Sequence, residues 1–167
     1  MKKNPKLIAG LLMFVIIIGL INIIPLIQDQ YIGKNQKYIY NDDLKIMDQG
    51  DSYSFSYKEG ICEGNTVDLK FKFTGSNTLW DIETNNEAVI NIDYSANISD
   101  GKFKVILITP ENEIINVLEQ SDSGKKEIKL KNGTSRIKMV ALDAKGSLIL
   151  NIEDNEQIIL KGKEEEV

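Results

Sequence analysis

Histidine is absent from the 167 residues, cysteine occurs once, as Cys62, and proline only three times. Without histidine there is no Ser-His-Asp triad, no Cys-His pair, no HExxH zinc motif and no imidazole general base. One thiol can form neither a tetrahedral thiolate zinc cage nor a disulfide within one molecule. Cys62 stands in Glu59-Gly60-Ile61-Cys62-Glu63-Gly64, where two carboxylates raise a thiol pKa and disfavour the nucleophilic thiolate. Glycine-rich phosphate loops are missing too. The sequence therefore assigns no catalytic residue, no cofactor and no metal site.

What is present begins with an address. From Leu7 to Ile27 the run LIAGLLMFVIIIGLINIIPLI carries no charge, and 21 residues of helix at about 1.5 Å each reach roughly 31 Å, the thickness of a bilayer core. Lys2, Lys3 and Lys6 precede it and the first charge after it is Asp29, a bias that keeps the N-terminus cytoplasmic. A small-x-small cleavage pair is lacking, so an uncleaved anchor is expected over a cleaved signal peptide. The division expected is residues 1–6 as a basic cytoplasmic tip, 7–27 as a single transmembrane helix, 28–50 as a stalk, 51–162 as an extracytoplasmic domain and 163–167 as an acidic tail. An edge strand is expected in the stalk around Lys37–Tyr40.

Residues 28–167 hold 17 Lys+Arg and 25 Asp+Glu, a net charge of −8, which opposes nucleic acid and anionic lipid heads at long range. Periodicity in this part is two. Tyr53, Phe55 and Tyr57 alternate with Ser52, Ser54 and Ser56; Val67, Leu69, Phe71 and Phe73 alternate with Asp68, Lys70, Lys72 and Thr74. Both are half-buried strands, the lysines marking a solvated face. Ile90, Ile92, Tyr94 and Ala96 form a third strand, closed at Asp100-Gly101, a tight-turn pair. A hairpin through Pro110-Glu111-Asn112-Glu113 follows, then one about Asn132-Gly133, then a turn at Asp143-Ala144-Lys145-Gly146. Eight or nine short strands without an amphipathic helix predict an all-β chain, an antiparallel β-sandwich of jelly-roll or immunoglobulin-like type, preceded by the single N-terminal transmembrane helix.

Between Gly101 and Glu153, GKFKVILITPENEI and IKLKNGTSRIKMVALDAKGSLILNIE carry a loose resemblance to small secreted bacterial β-sandwich modules of the pre-peptidase C-terminal and CUB-like kind. Leu130, Gly133 and Thr134 before Arg136–Leu142 match the approach to a long strand, whereas Ser135 and Arg136 stand where those modules carry an aromatic. The resemblance implies an accessory, non-enzymatic domain that binds polymers, proteins or Ca²⁺.

Asp42, Asp43, Asp48 and Asp51 offer hard oxygens, but their spacing departs from a calcium loop. Trp80, in SNTLWDIETNN, is a candidate stacking platform in a polar connection, or a cap on the core. The expected role is non-catalytic binding or protein interaction at the outer face of a bacterial membrane, with membrane attachment through the N-terminal helix and a protein partner met through Trp80 and the Tyr53/Tyr57 strand. Alternatives are a carbohydrate- or cell-wall-binding module, with a glycan as partner, and a small carboxylate-based hydrolase.

Overall fold

The computed structural model describes residues 36–162. Residues 36–39 are helical, followed by α1 (Asp43–Met47) and seven strands: β1 (Ser52–Glu63), β2 (Thr66–Thr84), β3 (Ala88–Ile108), β4 (Ile114–Glu119), β5 (Asp122–Leu130), β6 (Gly133–Ile152) and β7 (Ile158–Gly162). All pairings are antiparallel. Along the sheet the order is β1-β2-β6-β3-β4, with β5 also on β3 and β7 also on β2. The all-β antiparallel class is as expected.

The single-pass membrane localisation, with a cytoplasmic N-terminus, is corrected. Among the described residues no helix is long and apolar enough to cross a membrane; the five residues of α1 reach about 7.5 Å, a quarter of a bilayer core. The Leu7–Ile27 span on which the expectation rested lies outside the described residues, as do 163–167.

Three strands are about twice as long as the periodicity suggested. Asp100-Gly101 and Asp143-Ala144-Lys145-Gly146 read as turns, yet they lie inside β3 and β6. There the chain takes positive φ without ending the strand, at Gly101 (φ 75°) and Asp143 (φ 50°), and β2 does the same at Gly75 (φ 109°). Pairing between β2 and β6 shifts register between Phe73 and Gly75, and that between β3 and β6 shifts on both sides of Asp100. These bulges are corners.

Two contacts measure the fold-over they produce. Gly64 and Trp80 would lie roughly 53 Å apart on a straight strand, yet the Trp80 indole N–H donates to the Gly64 carbonyl at 2.8 Å. Phe71 and Phe103 are separated by the intervening β6, and their ring centroids are 5.0 Å apart. One sheet thus folds at three corners into the two packed layers of a β-sandwich. Between the layers lie Val67, Leu69, Phe71, Phe73, Leu148 and Leu150 from one half and Trp80, Ile82, Phe103, Val105, Ile137 and Met139 from the other, all 2% exposed or less.

Residues 36–51 cover the outer face of the second layer. The edge strand expected around Lys37–Tyr40 is helical instead, and Ile39, Tyr40 and Ile46 pack on Ile106, Ile108 and Val140. Asp42 caps α1, accepting from the Lys45 amide at 3.2 Å. At the other end, the carbonyls left open by the helix receive donors from β6. Arg136 gives one guanidinium N–H to Met47 (2.7 Å) and another to Asp48 (2.9 Å). Lys138, wholly buried, reaches the carbonyls of Asp48 (2.7 Å) and Gly50 (3.3 Å) and the Asp51 carboxylate (3.3 Å).

The Tyr40 hydroxyl donates to Glu119 on β4 at 3.1 Å, while Lys104 stands 4.8 Å from the ring centroid. Burial first, then the Glu119 charge and hydrogen bond, push the phenol up to about 12. A pKa raised on folding stabilises fully below the unfolded value of about 10, and that stability is lost as pH rises through about 12. Absorbance titration should show a tyrosine step near pH 12 that Tyr40→Phe removes, with about 1 kcal/mol of stability lost at neutral pH. A final step unchanged in Tyr40→Phe would refute the assignment.

Candidate functional site

The candidate surface residues fall in three different environments. Trp80 is 0% exposed; the polar stretch around it continues β2 and is no connection, so its role as an exposed stacking platform is corrected. Tyr53 is half-buried against the core, 5.6 Å from the Phe55 ring centroid and 6.0 Å from that of Phe73. Tyr57 is 50% exposed.

Strict alternation would place Tyr53, Phe55 and Tyr57 on one face. Along β1, Phe55 pairs with inward Phe73, but the next pair is Tyr57 with Lys72, the register slipping at Ser56. One extra residue turns every following side chain to the opposite face. Tyr57 consequently emerges among the outward residues of β2, and its hydroxyl donates to Glu59, two residues along the same face. That bond, then burial and the Glu59 charge, raise the phenol pKa.

Tyr57 forms one wall of an open groove of about 660 Å³. The rest comes from three strands: Lys70, Phe71 and Lys72 on β2, Lys145, Gly146 and Ser147 on β6, Asn97 and Ser99 on β3. Register fixes the layout. Tyr57, Lys72 and Lys145 make one row across the sheet, and Lys70, Ser147 and Asn97 the next. Ser99 donates to the Lys145 carbonyl at 3.0 Å. Phe71 and Leu148, pointing the other way, anchor this face to the core.

With the groove in view, the chain can be set beside known proteins. Among solved structures, a family 35 carbohydrate binding module from an environmental isolate is similar at a TM-score of 0.37 and 14% identity, over 66% of this chain and 93% of that one. No protein-family model and no curated protein matches the sequence. So distant a likeness leaves the ligand to be read from the groove itself.

Three of the four acidic residues considered as metal ligands have other tasks. Asp42 caps α1, Asp48 accepts from the Gly50 amide at 3.3 Å, and Asp51 accepts from Thr78 at 2.8 Å besides pairing with Lys138. Among the described residues no group of three or more His, Cys, Asp or Glu could hold a metal ion. Displaced carboxyls point away from acid catalysis, which uses a raised pKa. At Asp143 the Lys37 hydrogen bond leads and outweighs burial, lowering the value. At Glu111 burial raises, but hydrogen bonds from its own backbone, Lys131 and Thr109 prevail and lower it. Cys62 is half-buried against the core.

Sequence reasoning found the lysine face of β2 and the Tyr57 side chain but not their meeting, which depends on the slip at Ser56. Lys145, Ser147, Asn97 and Ser99 were missed. Ser99 and Lys145 lie in turn-like pairs that fold the long strands and so read as turns, while Asn97 and Ser147 beside them read only as the ends of neighbouring strands.

Proposed function

We propose that the domain is a non-catalytic binding module whose ligand is a carbohydrate chain lying in the groove beside Tyr57. One observation carries this: a half-exposed tyrosine ring walls an open groove lined by amide and hydroxyl groups of Asn97, Ser99 and Ser147. A sugar ring presents C–H faces that pack on an aromatic ring and hydroxyls that exchange hydrogen bonds with such side chains.

Native affinity electrophoresis against soluble polysaccharides tests it. At least one polymer should retard the protein, and Tyr57→Ala should weaken that retardation about 5- to 10-fold, with a thermal melt unchanged because the side chain is exposed. Folded protein retarded by no polysaccharide would overturn the carbohydrate reading, and retention insensitive to Tyr57→Ala would move it off this groove. Capture of a protein through Tyr57 in place of any glycan would favour the protein partner expected from sequence.

A further inference from the structure

The groove places like charges together in a domain that is acidic overall. Lys72 and Lys145 are directly opposite in antiparallel register, with side chains about 5 Å apart at their bases, an arrangement that destabilises a sheet when both groups are charged. Lys70 stands two residues from Lys72 on the same face, opposite Ser147. All three are exposed, and among the described residues none has an ion-pair partner within 4.0 Å.

Three acids near them each hold a partner of their own. Glu59, opposite Lys70, accepts the Tyr57 hydroxyl. Asp100, opposite Lys145, accepts the Gly101 amide at 2.9 Å. Asp143, whose carboxyl feels the Lys72 charge, pairs with Lys37 at 2.8 Å and accepts from Thr74 at 2.9 Å. Asp68 lies one row further along β2, opposite Ile61 and Ile149. Lys72 and Lys145 thus face each other across the strands, a like-charge pair that an anion bridging the two ammonium groups would relieve, beside an aromatic wall that suits a sugar ring.

Resting on the carbohydrate reading of the same groove, we propose that the preferred ligand is an acidic polysaccharide, its anionic group held between Lys72 and Lys145, with Lys70 meeting the next charge along the chain. The domain's own negative charge opposes approach from a distance, so the anion is held only at contact, where the ammonium groups of Lys72 and Lys145 meet it directly. The pairing is therefore short-ranged and sensitive to salt.

Polygalacturonate and its fully methyl-esterified form share a backbone and differ in charge, so the full-length protein is compared on both by affinity electrophoresis, with polyglycerol phosphate and duplex DNA as further arms. The free acid should be retained about 10-fold more strongly than the ester. Lys72→Gln/Lys145→Gln should lower retention of the free acid to that of the ester and keep the melting temperature equal or higher, since a repulsion is removed. Raising salt from about 0.05 to 0.5 M should also erase the difference. Preference for polyglycerol phosphate would support the anion site and assign its source to phosphate. Equal retention of acid and ester, unaffected by the lysine substitutions, would overturn the anion inference while the carbohydrate reading stood. Failure to retain any sugar polymer would overturn both. Equal retention of DNA and polygalacturonate would reduce the groove to an unselective cationic patch and overturn the inference.

Discussion

Gly75→Ala is expected to lose about 3 kcal/mol or more and to lower the melting temperature by roughly 10 °C. Two effects add. At φ 109° an L side chain is strained whatever its surroundings. The new Cβ would also stand 2.1 Å from the Ser52 carbonyl oxygen and 2.7 Å from the Tyr53 Cα, both backbone atoms of the paired β1 that cannot rotate away. Gly64 separates the two contributions. It too has positive φ, 55°, but a Cβ there meets nothing within 4 Å, so Gly64→Ala should cost about 1 kcal/mol from strain alone. Circular dichroism melts of both variants make the comparison. A Gly75→Ala melt within about 2 °C of the parent would mean that β2 does not turn its corner at this residue.

Trp80→Ala should be comparably severe, at about 3–5 kcal/mol, because it empties the largest buried side chain from between the layers. Trp80→Phe should fill most of that space yet lose the bond that ties the second half of β2 to the Gly64 carbonyl in the turn before it, for about 1–2 kcal/mol. Binding provides the contrast. Trp80→Phe protein that remains folded should hold polysaccharide as the parent does, whereas Tyr57→Ala should lose affinity without losing stability. A stable Trp80→Phe protein with weakened binding would return Trp80 to the ligand surface.

Antiparallel all-β organisation was legible in the alternation of Val67, Leu69, Phe71 and Phe73 with polar neighbours, because a half-buried strand imposes period two on its own residues. The hairpin at Pro110 was legible for the same local reason, whereas Asn132-Gly133, expected to close a hairpin, passes the chain from β5, which pairs with β3, to β6, which pairs with β2 and β3. The corners were not legible. Gly101 and Asp143 supply positive φ whether the chain reverses in a tight turn or bends and carries on, and only the strands on either side decide which. The covering segment was misread because its three buried apolar residues, Ile39, Tyr40 and Ile46, are too few to set a helical period against the charges around them. Trp80 illustrates the limit for the site. A polar neighbourhood suggested exposure, but Ser76, Thr78 and Thr84 are themselves buried, Thr78 against Asp51 and Thr84 against the Lys131 carbonyl.

Strand order also has a consequence for how the chain is made. β6 is the sixth strand in sequence but the central one in space, hydrogen-bonded to β2 on one side and β3 on the other for nearly its whole length. During synthesis β2 and β3 are therefore complete long before the strand that joins them exists, each with an open edge and an uncovered apolar face. Layer closure must wait until β6 has left the ribosome, and residues 47–51 are not fastened until its Arg136 and Lys138 have emerged. The nascent chain is thus most exposed to misassociation just before β6 is added, and folding is set by the arrival of β6 and not by the first hairpin to form.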